Sequence, residues 1–146
     1  MVEWDFGEHP VSNEEIIEVE NTLQVKFPKD YLEYVKIYSG ATPSPETFDL
    51  EDREGIAFGY LHSFHKESES YIVNVSNRYR DGRMPDKVIP IADDVFGNEI
   101  CFDFRKGLSS PSIVFWDHEM AFEDPERALS PVCDSFTELV NKLYEE

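Results

Sequence analysis

The chain has 146 residues, 40% of them hydrophobic and 14% aromatic. That is enough apolar material for one packed core and excludes global disorder. Its 31 Asp and Glu outnumber its 13 Lys and Arg, giving a net charge of -18. This balance argues against nucleic acid and anionic membranes as direct partners, and favours either a cationic partner or plain solubility. The N-terminus, M-V-E-W-D-F-G-E, is acidic and lacks the apolar stretch of a signal peptide, and no apolar run approaches the ~20 residues of a membrane span. A single domain over residues 1–146 is expected, soluble and cytoplasmic, with Cys101 and Cys133 as reduced, packed thiols.

Residues 1–11 read as an arm that docks Trp4, Phe6 and Val11 onto the domain. Ser12 and Glu15 form the S-x-x-E capping box of a first helix, with Ile16, Val19 and Leu23 on its apolar face. A second helix opens with Pro28 in its first turn, continues through Tyr31, Leu32, Val35 and Tyr38, and ends at Gly40. Thr47–Leu50 is a short strand and the aromatic run Ile56–Phe64 a longer one. Ser68–Tyr79 fits either a strand or a helix; the common face of Tyr71, Val75 and Tyr79 favours the helix. Arg78, Arg80, Arg83 and Lys87 form the basic run of the chain, in a Gly- and Pro-containing loop that neutralises nearby acids.

Val88–Asp103 reads as a hairpin: Val88, Ile89 and Ile91 on one strand, Ile100 and Phe102 on the other, and Phe96-Gly97-Asn98 as the turn. After a turn through Arg105–Gly107 and Ser109–Pro111 comes a strand over Ser112–Trp116. The stretch Met120–Pro131 is acidic and irregular, with room for a short edge strand. Ser135 and Glu138 then open a C-terminal helix carrying Phe136, Leu139, Val140 and Leu143. Helices at both ends with strands in succession between them give an α+β fold. Its centre is an antiparallel or mixed sheet, on which two N-terminal helices and a C-terminal helix pack.

Several of these stretches together resemble one family. Phe27-Pro28, Asp30-Tyr31 and Ser39-Gly40 are similar to the L-P-x-D-Y…N-G signature of the SUKH superfamily. The same holds for Gly59-Tyr60-Leu61, for Ile89-Pro90-Ile91-Ala92-Asp93 with Gly97-Asn98 and Asp103, for Val114–Glu119, and for Phe136 with Leu139-Val140. The resemblance runs from Ser12 to Leu143 and departs from the pattern at Phe27 (Leu in the family) and Ser39 (Asn). The superfamily holds the fungal cell-wall-assembly regulators of the Smi/Knr type and many bacterial immunity proteins, and this chain is most similar to the YobK-type branch. It implies a non-enzymatic role: binding and blocking a co-encoded toxin, often a nuclease.

The residues themselves offer a surface for that role. Asp93, Asp94, Glu99, Asp103, Asp117 and Glu119 fall at or near strand ends and converge on one edge if the hairpin and Ser112–Trp116 are neighbours. Phe115 and Trp116 point to opposite faces, so one of them, Trp116 in particular, is expected to be partly exposed as an anchor. The competing reading is that Asp and Gly-Asn are ordinary turn formers and the acids a solvated rim. Two other function classes remain: a cytosolic adaptor or regulatory scaffold, and a small metal-dependent hydrolase using the hairpin carboxylates. No catalytic, cofactor or metal residue is assigned. His62-x-x-His65 would place its rings on opposite sides of a strand, and no G-x-S-x-G, P-loop or G-x-G-x-x-G is present.

Overall fold

A computed structural model describes residues 2–80, 82–107 and 110–145. The elements are, in order, β1 (Glu3–Asp5), α1 (Asn13–Leu23), α2 (Lys29–Tyr38), β2 (Thr42–Ser44), β3 (Thr47–Leu50), β4 (Arg53–Ala57), α3 (Ile72–Arg78), β5 (Val88–Asp93), β6 (Glu99–Asp103), β7 (Ser112–Trp116), α4 (His118–Glu123), a 3-10 turn (Pro125–Ala128), β8 (Leu129–Cys133) and α5 (Phe136–Lys142). Their strands form a main antiparallel sheet in the order β5-β6-β7-β8 and two antiparallel pairs, β1-β2 and β3-β4. The fold is α+β, as expected.

Period-two alternation gives the main sheet two apolar faces. Ile89, Phe102, Ile113 and Phe115 join a large core with Val19, Tyr31, Val35 and Phe136 of the helices. Cys101, Val114 and Trp116 face the other way, into a smaller core closed by Met84, Ala121 and Ala128. That second layer corrects the expected exposure of Trp116. Its side chain is 0% exposed, its ring lies 4.6 Å from that of Tyr79, and its indole N–H donates to the Arg83 carbonyl at 3.0 Å. The stretch read as irregular is what covers it: α4 and the 3-10 turn lie over that face before β8 closes the sheet edge.

Local chemistry accounts for most boundaries. Ser12 and Glu15 complete their capping box, and Ser135 accepts from the Glu138 amide. Pro28 sits at the N-cap of α2, one residue before its first turn, while Gly40 takes φ +79 just past its end. The segment read as strand or helix is helical over Ile72–Arg78. Arg78 therefore belongs to α3, and Asp81 of the basic loop lies outside the described residues, as does Ser109 of the later turn. The expected strand over Ile56–Phe64 is shorter: β4 ends at Ala57, and the chain then makes only single bridges, Leu61 to Ala92 and Ser63 to Tyr71. In the N-terminal arm Trp4 docks among Tyr34, Tyr38, Phe58 and Phe136, but Phe6 is 89% exposed. Cys101 and Cys133 are free thiols.

Candidate functional site at the hairpin end of the main sheet

Register puts the expected carboxylates at two ends of the sheet. Asp93 pairs with Glu99, Glu99 with Trp116, and Trp116 with Leu129, so Asp93, Asp94, Glu99, Asp117 and Glu119 gather where β5 turns into β6 and β7 into α4. Asp103 lies opposite Val88 and Ser112 at the other end, four residues from Glu99 along β6 and so roughly 13 Å away. It is held there by Arg105, whose Nε and Nη2 both donate to it at 2.9 Å. Burial alone would raise the Asp103 pKa, but those bonds outweigh it and keep the carboxyl below its ordinary range. The expected convergence therefore holds without Asp103.

Within the cluster the acids divide by burial. Asp94 is buried, and its oxygens accept from the amides of Phe96 (2.9 Å) and Asn98 (3.0 Å) and from the Asn98 side chain (2.8 Å). Asn98 in turn uses Oδ1 to accept from the His118 amide at 3.0 Å and lies 2.7 Å from the His118 Nδ1. This Asp94–Asn98–His118 chain ties the hairpin turn to the start of α4. Gly97 holds φ +93, a left-handed conformation that glycine adopts freely; space is not what requires it, since a Cβ there would meet the His118 ring at 3.4 Å, an ordinary contact.

Glu99 is also buried, 2.6 Å from His62 Nε2, and the His62 Nδ1 has no hydrogen-bond partner among the described residues. Burial raises the Glu99 pKa against the pull of His62. Asp93 is half-buried. It accepts from the Tyr60 amide at 3.1 Å, and burial raises its pKa too. Gly59 makes this approach possible: its amide donates to the Asp93 carbonyl at 2.7 Å, and a Cβ on it would collide with the Asp93 carboxylate. Asp117 caps α4 by accepting from the amides of Glu119 and Met120, and lies 3.4 Å from Arg53. Glu119 is exposed.

As a partner surface, then, Asp94, Glu99 and Trp116 are internal and Asp93 and Asp117 partly so. What the same end of the molecule does expose is apolar. Val95 is 61% and Phe96 73% exposed in the hairpin turn, and Phe122, one turn along α4 from His118, is 70% exposed under the Arg83 guanidinium, 4.7 Å above its ring. An open depression lined by Arg53, Phe96, Asn98, Asp117, His118 and Glu119 lies beside them. Phe96 was visible in the sequence as a turn residue. Its exposure was not, because an aromatic between two apolar strands reads equally well as core.

Another group escapes any linear reading. His65 is buried, with Nε2 2.8 Å from the His9 carbonyl and Nδ1 2.6 Å from Glu15, while its ring stacks on that of His9 at 3.8 Å. Burial disfavours a charged ring, but the His9 carbonyl and the Glu15 carboxylate outweigh it and raise the His65 pKa. Among the described residues His9, His65 and Glu67 come nearest to a metal-ligand set, with donor atoms within 4.8 Å of one another. Both His65 nitrogens are already committed, so a metal would have to displace the carbonyl or Glu15.

The family model described as the SMI1 / KNR4 family (SUKH-1) matches residues 10–142. The chain belongs to this family. It is also similar to the SPbeta prophage-derived uncharacterized protein YokK of Bacillus subtilis (strain 168), at 31% identity over 161 aligned positions that cover 97% of this chain and 80% of that protein. In the SUKH-1 frame, the signature residues turn out to be structural. Tyr31 packs at 5.1 Å from Phe27 and Phe102 and 5.4 Å from Phe136. Asp30 accepts from the Thr137 amide and hydroxyl, at 2.9 and 2.8 Å, at the start of α5. Ser39 is buried, accepts from the Phe64 amide and donates to Glu8. No helix among the described residues is long and apolar enough to cross a membrane.

Proposed function

We propose that this SUKH-1 protein is a cytoplasmic immunity protein that binds a co-encoded toxin stoichiometrically and blocks it, without catalysing a reaction itself. The family match over residues 10–142 carries this reading, because the family includes immunity proteins. The charge of -18 adds the chemistry of the partner: a basic domain, such as a nuclease that needs cations around its phosphate-binding cleft. In this reading Asp93, Asp117 and Glu119 provide steering on the hairpin side and Asp103 contributes from the far end. Asp94, Glu99 and Trp116 support the surface from within. The disposition of the carboxylates weighs against hydrolysis, since Asp94 bonds backbone amides, Glu99 bonds His62, and Asp103 is clamped by Arg105.

Co-expression tests it. The chain should restore growth to cells producing the toxin encoded by the neighbouring gene, and the two purified proteins should elute as one complex. Failure both to protect and to bind would remove the immunity reading and leave the adaptor one.

A further inference from the structure

We propose that the β5–β6 turn is the apolar anchor of the partner interface, with Val95 and Phe96 inserting into a pocket on a protein surface rich in Arg and Lys. This rests on the immunity reading and specifies which surface does the binding. Three observations converge on it.

The first is exposure. Two adjacent large apolar residues stand in solvent at the end of the main sheet, Phe96 at 73%, followed by the exposed Gly97, whereas Asp94 before them and Asn98 after the glycine are buried. Interface anchors are typically aromatic side chains that can be fully desolvated by a partner, with near-neutral residues around them.

The second is preorganisation. Val95 holds φ 71, a conformation that costs a β-branched residue energy and that a glycine would adopt freely. The turn is kept there by the buried Asp94, which accepts from both the Phe96 and the Asn98 amides, and by Asn98, which anchors to α4 through His118. Phe96 is thus displayed from a fixed base, so little ordering of the turn is needed on binding.

The third is the surrounding charge. Asp117 and Glu119 share the depression beside Phe96, Asp93 ends the preceding strand, and Glu123 lies one turn along α4 from Glu119. Arg53, paired with Asp117, and Arg83, over Phe122, only partly offset them. An exposed aromatic face with Asp117 and Glu119 beside it favours a cation: an Arg or Lys of the partner can stack on the Phe96 ring while bonding Glu119. A neutral or acidic surface would leave those carboxylates desolvated and unpaired.

The test measures affinity of the full chain for the purified toxin domain encoded by the neighbouring gene. Phe96→Ala should weaken binding by about 30-fold or more, the size of a hot-spot loss, with an unchanged thermal midpoint because the side chain is exposed. Glu119→Lys should slow association. Ile37→Ala and Phe6→Ala, exposed apolar residues elsewhere, should bind like the wild type. If the wild type binds and Phe96→Ala, Phe96→Ser and Val95→Gly all bind within about twofold of it, a size below what any anchor residue loses, the turn is not the anchor and the immunity reading survives. If the wild type does not bind, the immunity reading fails with it.

Discussion

Gly59 illustrates how closely single residues are constrained around the hairpin. Its φ is ordinary; its requirement is space, because its Cα faces the Asp93 carboxylate and a Cβ would lie 3.1 Å from the Asp93 carbonyl. Gly59→Ala should therefore destabilise the fold by about 1–3 kcal/mol, the usual cost of overpacking, measured as a lower urea midpoint with an unchanged slope. Val95→Gly should do the reverse, raising stability slightly by relieving the positive φ, by about 0.5–1 kcal/mol.

His65 makes a prediction in pH. Its pKa is raised in the folded state, so its contribution to stability is complete below the unfolded value of about 6.5 and is lost as pH rises through the folded pKa. The stability gap between the wild type and His65→Gln, from denaturant unfolding, should be largest near pH 5.5 and shrink towards pH 9. A gap that is constant across this range would mean that His65 contributes only packing. The groups facing the ring, Glu15, Glu8 and the stacked His9, are the ones to watch for compensation.

Elements divide into those set by local chemistry and those set by what packs on them. The capping boxes at Ser12 and Ser135, the Gly40 terminator and the three strands of the hairpin and Ser112–Trp116 follow from short-range patterns, and they were legible in the sequence. The end of β4 was not. Phe58, Leu61 and Phe64 are all buried, which kept the run looking like a strand, but the backbone leaves the ladder to bring His62 to Glu99 and Gly59 to Asp93. The burial of Trp116 was hidden for a related reason. An alternating strand announces two faces, and only the tertiary fold says that both are covered.

Helix α5 shows a further long-range dependence. Ser135 caps its Glu138 amide, but the Thr137 amide is satisfied from α2, by Asp30, 107 residues away in sequence. Asp30→Ala should cost about 1–2 kcal/mol, the range for losing a helix cap, and should speed hydrogen exchange in α5 selectively. The Asp30-Tyr31 pair that pointed to the family is thus a joint between two helices.

At the scale of the whole molecule, the two-faced sheet gives the hairpin end a rigid foundation. Layers on both sides bury its strands, and the Asp94–Asn98–His118 chain locks the turn to α4. Of the candidate surface, the acids could be read from the sequence but their burial could not. Strand register divided a set that looked continuous, moving Asp103 to the far end and turning Asp94 and Glu99 inward. The exposed Val95-Phe96 pair lies in a stretch that reads as a turn, but a turn assignment says nothing of how far an aromatic in it stands out from the surface. A net charge of -18 acts over all of this at long range. Raising salt from 50 to 500 mM should cut the association rate with a basic partner by about tenfold or more while changing dissociation little.

The decisive measurement is a calorimetric titration of the chain into the product of the neighbouring gene, which the proposed role requires to be a toxin, with that protein's toxic activity assayed at each point. One equivalent of the chain should bind with a dissociation constant of about 10 nM or tighter and a negative heat-capacity change, and activity should vanish at equivalence. No heat at about 50 μM, or binding that leaves the toxin fully active, would contradict an immunity role for this protein.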